Sequence, residues 1–331
     1  MVLVTVYETL GSTYSKAGTR MLITAGGESQ GLVSGGCLEA DLSERARQVF
    51  ESNQATTVTY DLRDEADELF GLGVGCNGLI SVLLQPLNHE MAYEPMVSIA
   101  EGLLGQVVGG VATVIDSSIG EIGSGASVVL IDGEPRIFGV PDSFVPKLVD
   151  GCRQAAEQGR SSLIAESAGF GVLYTPLIPV PHVLILGAGL DAVPLVNVIS
   201  ELGWRVSIAD HRPTYLGRAE FVRVEATLTV RPESLADEVA LTDFDAIVVM
   251  SHHLLTDRQY LRQLAPLATP YLGLLGPPAR KQRLLEELGD EGRRLAERLR
   301  GPVGIDIGAD TAESIAVSIA AEIQQVLVRS V

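Results

Sequence analysis

Two cysteines of the chain lie inside short glycine-rich segments. Cys37 lies in segment 34–39, Ser-Gly-Gly-Cys-Leu-Glu, and Cys76 lies in segment 73–78, Gly-Val-Gly-Cys-Asn-Gly. Glycine lets the backbone approach a ligand closely and exposes a neighbouring sulfur. An accessible thiolate can act as a soft metal ligand or accept sulfur. The two thiols are therefore the candidate catalytic groups. The neighbouring candidates for cofactor binding are Gly35, Gly36, Glu39 and Gly75.

The local pattern leaves a second interpretation open for each thiol. A helix is predicted from Cys37 to about Glu51; with Gly36 as its N-cap, the thiol would lie at the first helical position, where the helix dipole favours thiolate. Alternatively, Cys37 is a small buried residue at a tight turn. Cys76 belongs either to an anion-binding nest or to a turn with an incidental cysteine. Cys152 lies in a helical pattern and is expected in the core.

A second group of candidates follows strands in the C-terminal half. Gly187 and Gly189 come directly after the apolar run 183–186, and Asp210 ends the next strand. This spacing is typical of a nucleotide-binding turn with a ribose-binding acid. His252 and Gly276 follow two later strands, and ligands of such sheets bind at the carboxyl ends of the strands. These five residues are candidate cofactor-binding residues, although polar loops of this kind also serve only to cap helices.

Composition excludes several classes of partner. The chain has 331 residues and a formal net charge of -18, so nucleic acid and an anionic membrane surface are not expected as partners. Three cysteines favour a reducing cytoplasm over a disulfide framework. The first residues lack the basic region of a signal peptide. The longest apolar stretch, 183–202, is interrupted by charged residues and glycines, and predicts a buried strand and helix rather than a membrane span.

The order of predicted elements indicates two domains. Short strands and two helices dominate residues 1–175, which predicts a mixed α+β domain carrying the cysteine-glycine loops. Three prolines mark a connector at 175–181. Strands and helices then alternate through 181–331, which predicts a Rossmann-like, doubly wound parallel sheet. Its last strand is expected at 303–307.

These motifs, in this order, resemble the XdhC/CoxI family. The resemblance rests on motifs that run through nearly the whole chain: Gly11-Ser12, Gly35-Gly36-Cys37-Leu38-Glu39, Gly75-Cys76-Asn77-Gly78, Gly187-Ala188-Gly189, Asp210-His211-Arg212-Pro213, Ser251-His252-His253, Gly273-Leu274-Leu275-Gly276 and Gly304-Ile305-Asp306-Ile307-Gly308-Ala309. The sequence departs from the family pattern at several points, among them the two cysteine-domain loops. The first loop lacks the family's proline and arginine at Tyr14 and Ser15, and Asn77 replaces a glycine.

The resemblance implies an accessory protein that binds molybdenum cofactor (molybdopterin), assists its sulfuration with a cysteine desulfurase, and inserts it into a xanthine dehydrogenase-type apoenzyme. Cys37 would then be the contact for molybdenum or sulfur. The form of the cofactor, mononucleotide or dinucleotide, stays open, as does assembly into a homodimer. Such a protein is a cofactor chaperone rather than a catalyst.

Two further classes of function remain. The alternative to a chaperone is an NAD(P)-dependent oxidoreductase that uses the Rossmann-like half, although no hydride-transfer pair can be assigned and Asp191 adds negative charge where a pyrophosphate would lie. A nucleotide-binding regulatory module would leave both thiols without a role.

Overall fold

The computed structural model describes residues 1–61, 63, 78–166 and 169–329. The chain forms two compact units, Met1–Pro179 and Val180–Val331. The elements of the first unit, in chain order, are β1 (Val2–Gly11), β2 (Arg20–Ile23), β3 (Ser29–Gln30), α1 (Glu39–Ser52), β4 (Thr56–Asp61), β5 (Gly78–Pro86), α2 (Met96–Leu104), β6 (Gly109–Ser117), β7 (Ser127–Ile131), β8 (Glu134–Phe138), α3 (Val145–Gln158), β9 (Ser162–Glu166) and β10 (Phe170–Leu177).

Two five-stranded sheets form the centre of the first unit. Their strand orders are β3-β2-β1-β5-β4 and β8-β7-β6-β10-β9, and neighbouring strands pair antiparallel. The sheets face each other through Leu83 of β5, Ile115 of β6 and Leu173 of β10, which pack together and are buried. This cluster makes the two sheets one folding unit, because each sheet buries an apolar face against the other.

A helix covers the outer face of each sheet. Leu42, Ala46 and Val49 recur on one side of α1 and pack against the first sheet. Leu148 and Cys152 of α3 pack against the second sheet in the same way. Apolar residues at helical spacing therefore bury one stripe of each helix, and the unit has four layers, helix–sheet–sheet–helix.

The second unit alternates strands and helices. Its elements are β11 (His182–Leu186), α4 (Ala192–Glu201), β12 (Arg205–Asp210), α5 (Pro213–Leu216), β13 (Ala226–Thr229), α6 (Leu235–Glu238), β14 (Ala246–Val249), α7 (Leu254–Leu264), β15 (Tyr271–Leu274), α8 (Pro278–Leu288), α9 (Asp290–Leu295), β16 (Leu299–Arg300) and α10 (Ala312–Arg329).

The six strands pair parallel in the order β13-β12-β11-β14-β15-β16. Consecutive residues of β11 point to opposite faces, so Leu184 packs with α7 and α8 whereas Val183 packs with α4 and α10. Burial on both faces explains the continuous apolar runs of the sequence. The strand order reverses between β11 and β14, and this switch point is where a doubly wound sheet opens a crevice for ligands.

The position of the last strand differs from the sequence-based prediction. The sixth strand is Leu299–Arg300, and segment 303–307 is a loop. Val303 still donates its N–H to the Leu274 carbonyl of β15 at 3.2 Å, but the residues after it bond to side chains of α10. The Gly304 N–H donates to the Glu322 carboxylate at 2.7 Å, and the Ile305 carbonyl accepts from the Ser318 hydroxyl at 2.5 Å. Hydropathy alone cannot reveal these competing acceptors and donors.

No helix in the described ranges is long and apolar enough to cross a bilayer.

The contact between the two sheets of the first unit predicts a large effect of one substitution. Leu83→Ala should lower the free energy of unfolding by about 2–5 kcal/mol, because the cavity lies where neither sheet can move independently. Leu163→Ala removes the same atoms from a side chain that is 43% exposed and should cost less than about 1 kcal/mol. Urea titration with an unchanged m-value measures both. Equal losses in the two variants would show that the sheets do not depend on this contact.

Candidate functional site

The loop that carries Cys37 ends in a helix start that differs from the prediction. Helix α1 begins at Glu39 and Leu38 occupies its N-cap position, so Cys37 lies before the helix rather than at its first position. Gly36 has a φ of +103°, which turns the chain immediately before the thiol. The stabilisation of thiolate expected at the first helical position is therefore not a property of this site.

The Glu39 side chain turns back onto the loop. Its Oε1 accepts hydrogen bonds from the backbone N–H groups of Val33 at 3.2 Å and Ser34 at 2.8 Å. Its Oε2 pairs with the Ser34 hydroxyl and accepts from the Leu38 N–H at 3.2 Å. Glu39 thus satisfies donors that precede α1 and fixes the loop around the cysteine. In this structure it positions the loop, and a direct contact of Glu39 with a cofactor stays a proposal.

The charge of Glu39 is stabilised by these contacts. Burial by itself raises the pKa of the carboxyl group, but the hydrogen bonds from the Ser34 side chain and from the backbone outweigh burial, so the pKa lies below its ordinary value. The loop is consequently held by an ionised carboxylate at neutral pH.

The Cys37 side chain is a free thiol that is partly exposed and partly packed against the apolar core under α1. A Cβ placed on Gly36 would meet no atom within 4 Å, and one on Gly35 would meet only the Tyr14 ring, at 3.9 Å. There is therefore open space beside the thiol on its N-terminal side. Gly35, Gly36, Cys37 and Glu39 are brought together as the sequence predicts, whereas Cys76 and Gly75 lie outside the described residues.

Cys152 provides a contrast within the same unit. It is fully buried between α3 and the second sheet, and its Sγ lies 3.8 Å from the Val128 carbonyl oxygen. Burial raises the pKa of this thiol to about 12. The expectation that Cys152 is a core residue is confirmed.

In the second unit the glycine turn is tightly packed. Gly187 has a φ of +125°, and a Cβ at this position would lie 2.5 Å from the Met250 carbonyl oxygen. Its N–H donates to the Ala209 carbonyl at 2.8 Å. Only glycine fits where the ends of β11, β12 and β14 meet, which agrees with the tight turn predicted from the sequence.

Asp210 holds this turn from the end of β12. Its carboxylate accepts the Ala188 N–H at 2.8 Å and both the N–H and the guanidinium of Arg212 at 2.8–2.9 Å, with the His211 ring at 3.3 Å. Burial raises the pKa of Asp210, but the Arg212 side chain and the backbone donors lower it by more. Both oxygens are engaged by the protein, so binding of a ribose by Asp210 would require one of these bonds to break.

A stack of arginines beside Asp210 was not expected from the sequence. The guanidinium groups of Arg212 and Arg218 lie 3.8 Å and 4.3 Å from the centre of the Tyr215 ring, and Arg218 donates to the Ala188 carbonyl at 3.2 Å. Ala188 is therefore held at both its N–H and its carbonyl. Arg212, two residues after Asp210, is the sequence feature that could have indicated this arginine–tyrosine stack.

His252 lies directly over the glycine turn. Its Nε2 is 2.7 Å from the Asp191 carboxylate, and its ring is 3.8 Å from where a Cβ on Gly189 would be. The backbone of His252 has a φ of +60°, which is strained for a residue with a side chain. The negative charge of Asp191, which opposes a pyrophosphate, thus has an imidazole partner. Gly187, Gly189, Asp210 and His252 do cluster, as expected.

Gly276 lies under the side chain of Arg280, which is paired with Asp257 near Ser251 and His252. Asp257 is fully buried and accepts from the Ser251 hydroxyl at 2.5 Å and from Arg280 Nη2 at 2.6 Å. A Cβ on Gly276 would lie 2.6 Å from the Arg280 Cδ atom. Gly276 also borders a cavity of about 520 Å³ formed by its own loop, loop 302–309 and the first turns of α10.

The arrangement of the His, Cys, Asp and Glu side chains among the described residues bears on metal binding. In the described part of the chain, no group of three or more His, Cys, Asp and Glu side chains lies close enough to hold a metal ion. A single thiol such as Cys37 is one soft ligand, and a role of Cys37 toward a metal stays a proposal.

Comparison with known proteins agrees with this two-part architecture. The XdhC and CoxI family model matches residues 1–61, and the XdhC Rossmann domain model matches residues 183–323. A Bacillus subtilis (strain 168) protein that bears the name of a probable xanthine dehydrogenase subunit is 31% identical over 328 residues, which are 98% of this chain and 92% of that protein. The chain belongs to the XdhC and CoxI family.

Two other relatives extend over nearly the whole chain of this XdhC-family protein. The crystal structure of a xanthine dehydrogenase from Bacillus halodurans matches with a TM-score of 0.77 and 28% identity, covering 99% of this chain and 91% of that one. The Escherichia coli (strain K12) molybdenum cofactor insertion chaperone PaoD is 24% identical over 98% of this chain and 83% of its own. The predicted fold class, a mixed α+β part followed by a Rossmann-like parallel sheet, is confirmed.

The hydrogen bonds of Glu39 predict a pH-dependent contribution to stability. Because its pKa is lowered on folding, the contribution is present above the unfolded value near 4.5 and is lost as the pH falls through the folded value. Glu39→Gln should lower the free energy of unfolding at pH 7 by about 1–2 kcal/mol and by much less near pH 3.

Glu44→Gln is the matched control, since Glu44 is an exposed residue of the same helix that pairs with Arg47. It should change stability by less than about 0.5 kcal/mol at either pH. Denaturant titration at the two pH values measures the differences. A Glu39→Gln effect that does not depend on pH would contradict the role of the ionised carboxylate.

The two described thiols should differ in reactivity. In a Cys76→Ala background, a thiol reagent at pH 8 should modify Cys37 well before Cys152. A pKa of about 12 leaves only about one Cys152 side chain in ten thousand as thiolate at that pH, and the residue is buried. Quenched labelling followed by peptide mapping gives both rates in the native protein. Labelling of Cys37 at the Cys152 rate or slower would remove it as an accessible sulfur.

Proposed function

We propose that this XdhC-family chain is an accessory protein that binds molybdenum cofactor and assists its sulfuration and insertion into a xanthine dehydrogenase-type apoenzyme. The observation that carries the proposal is a partly exposed free thiol, Cys37, in a glycine loop fixed by Glu39. The alignment with PaoD over 98% of the chain supports the cofactor as cargo. The alignment with the B. subtilis relative supports a molybdenum hydroxylase as the client.

The residues around Cys37 suit such a cargo. Sulfur is a soft ligand, and the thiol lies beside open space at Gly36 rather than under a side chain. A bound cofactor would supply the molybdenum centre that is to be sulfurated. In this proposal Cys37 contacts the metal or the incoming sulfur, and Glu39 keeps the loop in the geometry that presents the thiol. Cys76 and Gly75 are proposed to act with it.

The proposal includes two protein partners. A cysteine desulfurase provides the sulfur, and the apoenzyme receives the loaded cofactor. Both reactions require a reducing environment in which Cys37 stays a thiol, which agrees with a cytoplasmic location and with the scarcity of cysteine in the chain. Assembly of the chain into a homodimer is part of the proposal. The form of the cofactor, mononucleotide or dinucleotide, is left open.

The contacts of the second unit weigh against an ordinary NAD(P)-dependent oxidoreductase. The Asp210 carboxylate accepts hydrogen bonds from Ala188 and Arg212, and Asp191 is paired with His252 beside the glycine turn. A dinucleotide would need to displace protein contacts at both its ribose and its pyrophosphate. Gly187, Gly189, His252 and Gly276 stay candidate cofactor-binding residues of the second unit in this proposal, and Asp210 would act by holding the turn that carries Gly187 and Gly189.

The deciding experiment is anaerobic equilibrium binding of molybdenum cofactor to the full chain. Cys37→Ala should weaken binding or sulfido loading roughly tenfold to hundredfold, the loss expected for a charge-assisted contact of about 1.5–3 kcal/mol. Cys152→Ala is the matched control, because it removes a thiol from the core of the same unit, and it should bind as the wild type does.

NAD(H) is the control ligand in the same experiment. Tight binding of NAD(H) by the wild type, together with no affinity for molybdenum cofactor, would replace this proposal by the oxidoreductase. Equal binding by Cys37→Ala and the wild type would keep the cargo and remove the thiol from the site.

A further inference from the structure

Arg20 lies between the two sheets of the first unit. It is the first residue of β2 and pairs with Thr5 of β1, which in turn pairs with Leu83 of β5. Residues directly opposite each other on neighbouring strands share a face of the sheet. Leu83 packs against Ile115 and Leu173 of the second sheet, so the Arg20 side chain also points toward that sheet.

The Arg20 guanidinium has a single polar partner among the described residues. Its Nη2 donates to the hydroxyl oxygen of Thr175 on β10 at 2.9 Å. Arg212 and Arg280, by contrast, meet carboxylates at 2.8 Å and 2.6 Å. No carboxylate in the described ranges lies within ion-pair distance of Arg20. Burial without a compensating negative charge lowers its pKa to about 10.

An uncompensated cation of this kind is costly. Taking a cation even partly out of water is unfavourable, and a neutral hydroxyl offsets little of that cost. The chain has 42 acidic and 24 basic residues, so carboxylates are plentiful, yet none of those described is placed here. An anion that binds from outside would supply the missing charge, and Arg20 remains partly exposed, so an anion can reach it.

Two hydroxyl groups accompany the guanidinium. Thr175 is buried and accepts from Arg20, and its own hydroxyl proton has no acceptor among the described residues. The Ser161 hydroxyl lies on the same side of the loop before β2, since it and the Thr175 methyl group would be 2.8 Å and 3.1 Å from a Cβ on Gly18. The cluster offers hydrogen-bond donors and a positive charge, which is the combination that recognises an oxyanion.

We propose that Arg20 and Thr175, with Ser161 beside them, form a binding site for a phosphate oxyanion. The bidentate donor geometry of a guanidinium matches phosphate, and a hydroxyl can donate to a further oxygen. The site does not depend on the proposed cofactor. Its phosphate has two possible sources, free phosphate and the phosphate group of the pterin cargo, and a two-armed experiment separates them.

The first arm measures thermal stability against inorganic phosphate, with chloride replaced at constant ionic strength and pH. Wild type should show a saturable rise in Tm, since a ligand that binds only the folded state stabilises it. Arg20→Met should weaken phosphate binding at least about tenfold while its unfolding free energy without phosphate stays equal to or above that of the wild type, because the variant no longer buries an unpaired charge.

Two more variants keep the test decisive. Thr175→Val has nearly the same shape and should weaken the phosphate response while Arg20 keeps its charge. Arg160→Met removes an exposed arginine of the same unit, whose bond is to Gln158, and should respond to phosphate as the wild type does. A phosphate response that survives Arg20→Met, or a wild type without any saturable response, overturns the proposal.

The second arm compares binding of molybdenum cofactor by wild type and Arg20→Met. Weaker cofactor binding by the variant assigns the site to the phosphate group of the cargo. Unchanged cofactor binding, with the phosphate response lost, assigns it to free phosphate. A wild type that binds phosphate but not the cofactor refutes the accessory function and leaves this site standing.

Discussion

A carboxylate that accepts hydrogen bonds from backbone N–H groups organises the glycine loop of each unit. Glu39 binds three N–H groups around the Cys37 loop, and Asp210 binds Ala188 in the turn between β11 and α4. A loop rich in glycine loses more conformational entropy on folding than other segments, so its geometry depends on such anchors. Each anchor stays ionised because several donors outweigh the effect of burial on its pKa.

The two anchors also determine which groups remain available to a ligand. Glu39 and Asp210 have the residue type of ligand-contacting acids, but their oxygens are occupied by the protein. In the first unit the Cys37 thiol is partly accessible. In the second unit the imidazole of His252 is exposed, although it is paired with Asp191. Acidic residues next to glycine loops are therefore better understood here as part of the scaffold that presents the thiol and the imidazole.

Much of the fold could be predicted from the sequence because its elements are fixed by local patterns. The continuous apolar runs at 183–186 and 246–250 predicted parallel strands buried on both faces, and β11 and β14 confirm them. The sixth strand was placed wrongly because loop 303–307 is as apolar as a strand, and its hydrogen-bond partners on α10 are distant in sequence. The start of α1 was placed too early because the bonds of Glu39 become visible only in three dimensions. The lack of a carboxylate beside Arg20 likewise becomes visible only in three dimensions.

Gly276 shows how a residue without a side chain can govern electrostatics. Arg280 folds back across the position that a Cβ would take at Gly276 and reaches Asp257 beneath it. During evolution, any larger residue at position 276 would have to push the arginine aside. Among the described residues, the buried Asp257 carboxylate would then keep the Ser251 side chain alone as a partner. The Asp257 carboxylate on α7 thus limits which residues the turn at Gly276 can accept. Positions 257, 276 and 280 are therefore expected to change together or not at all.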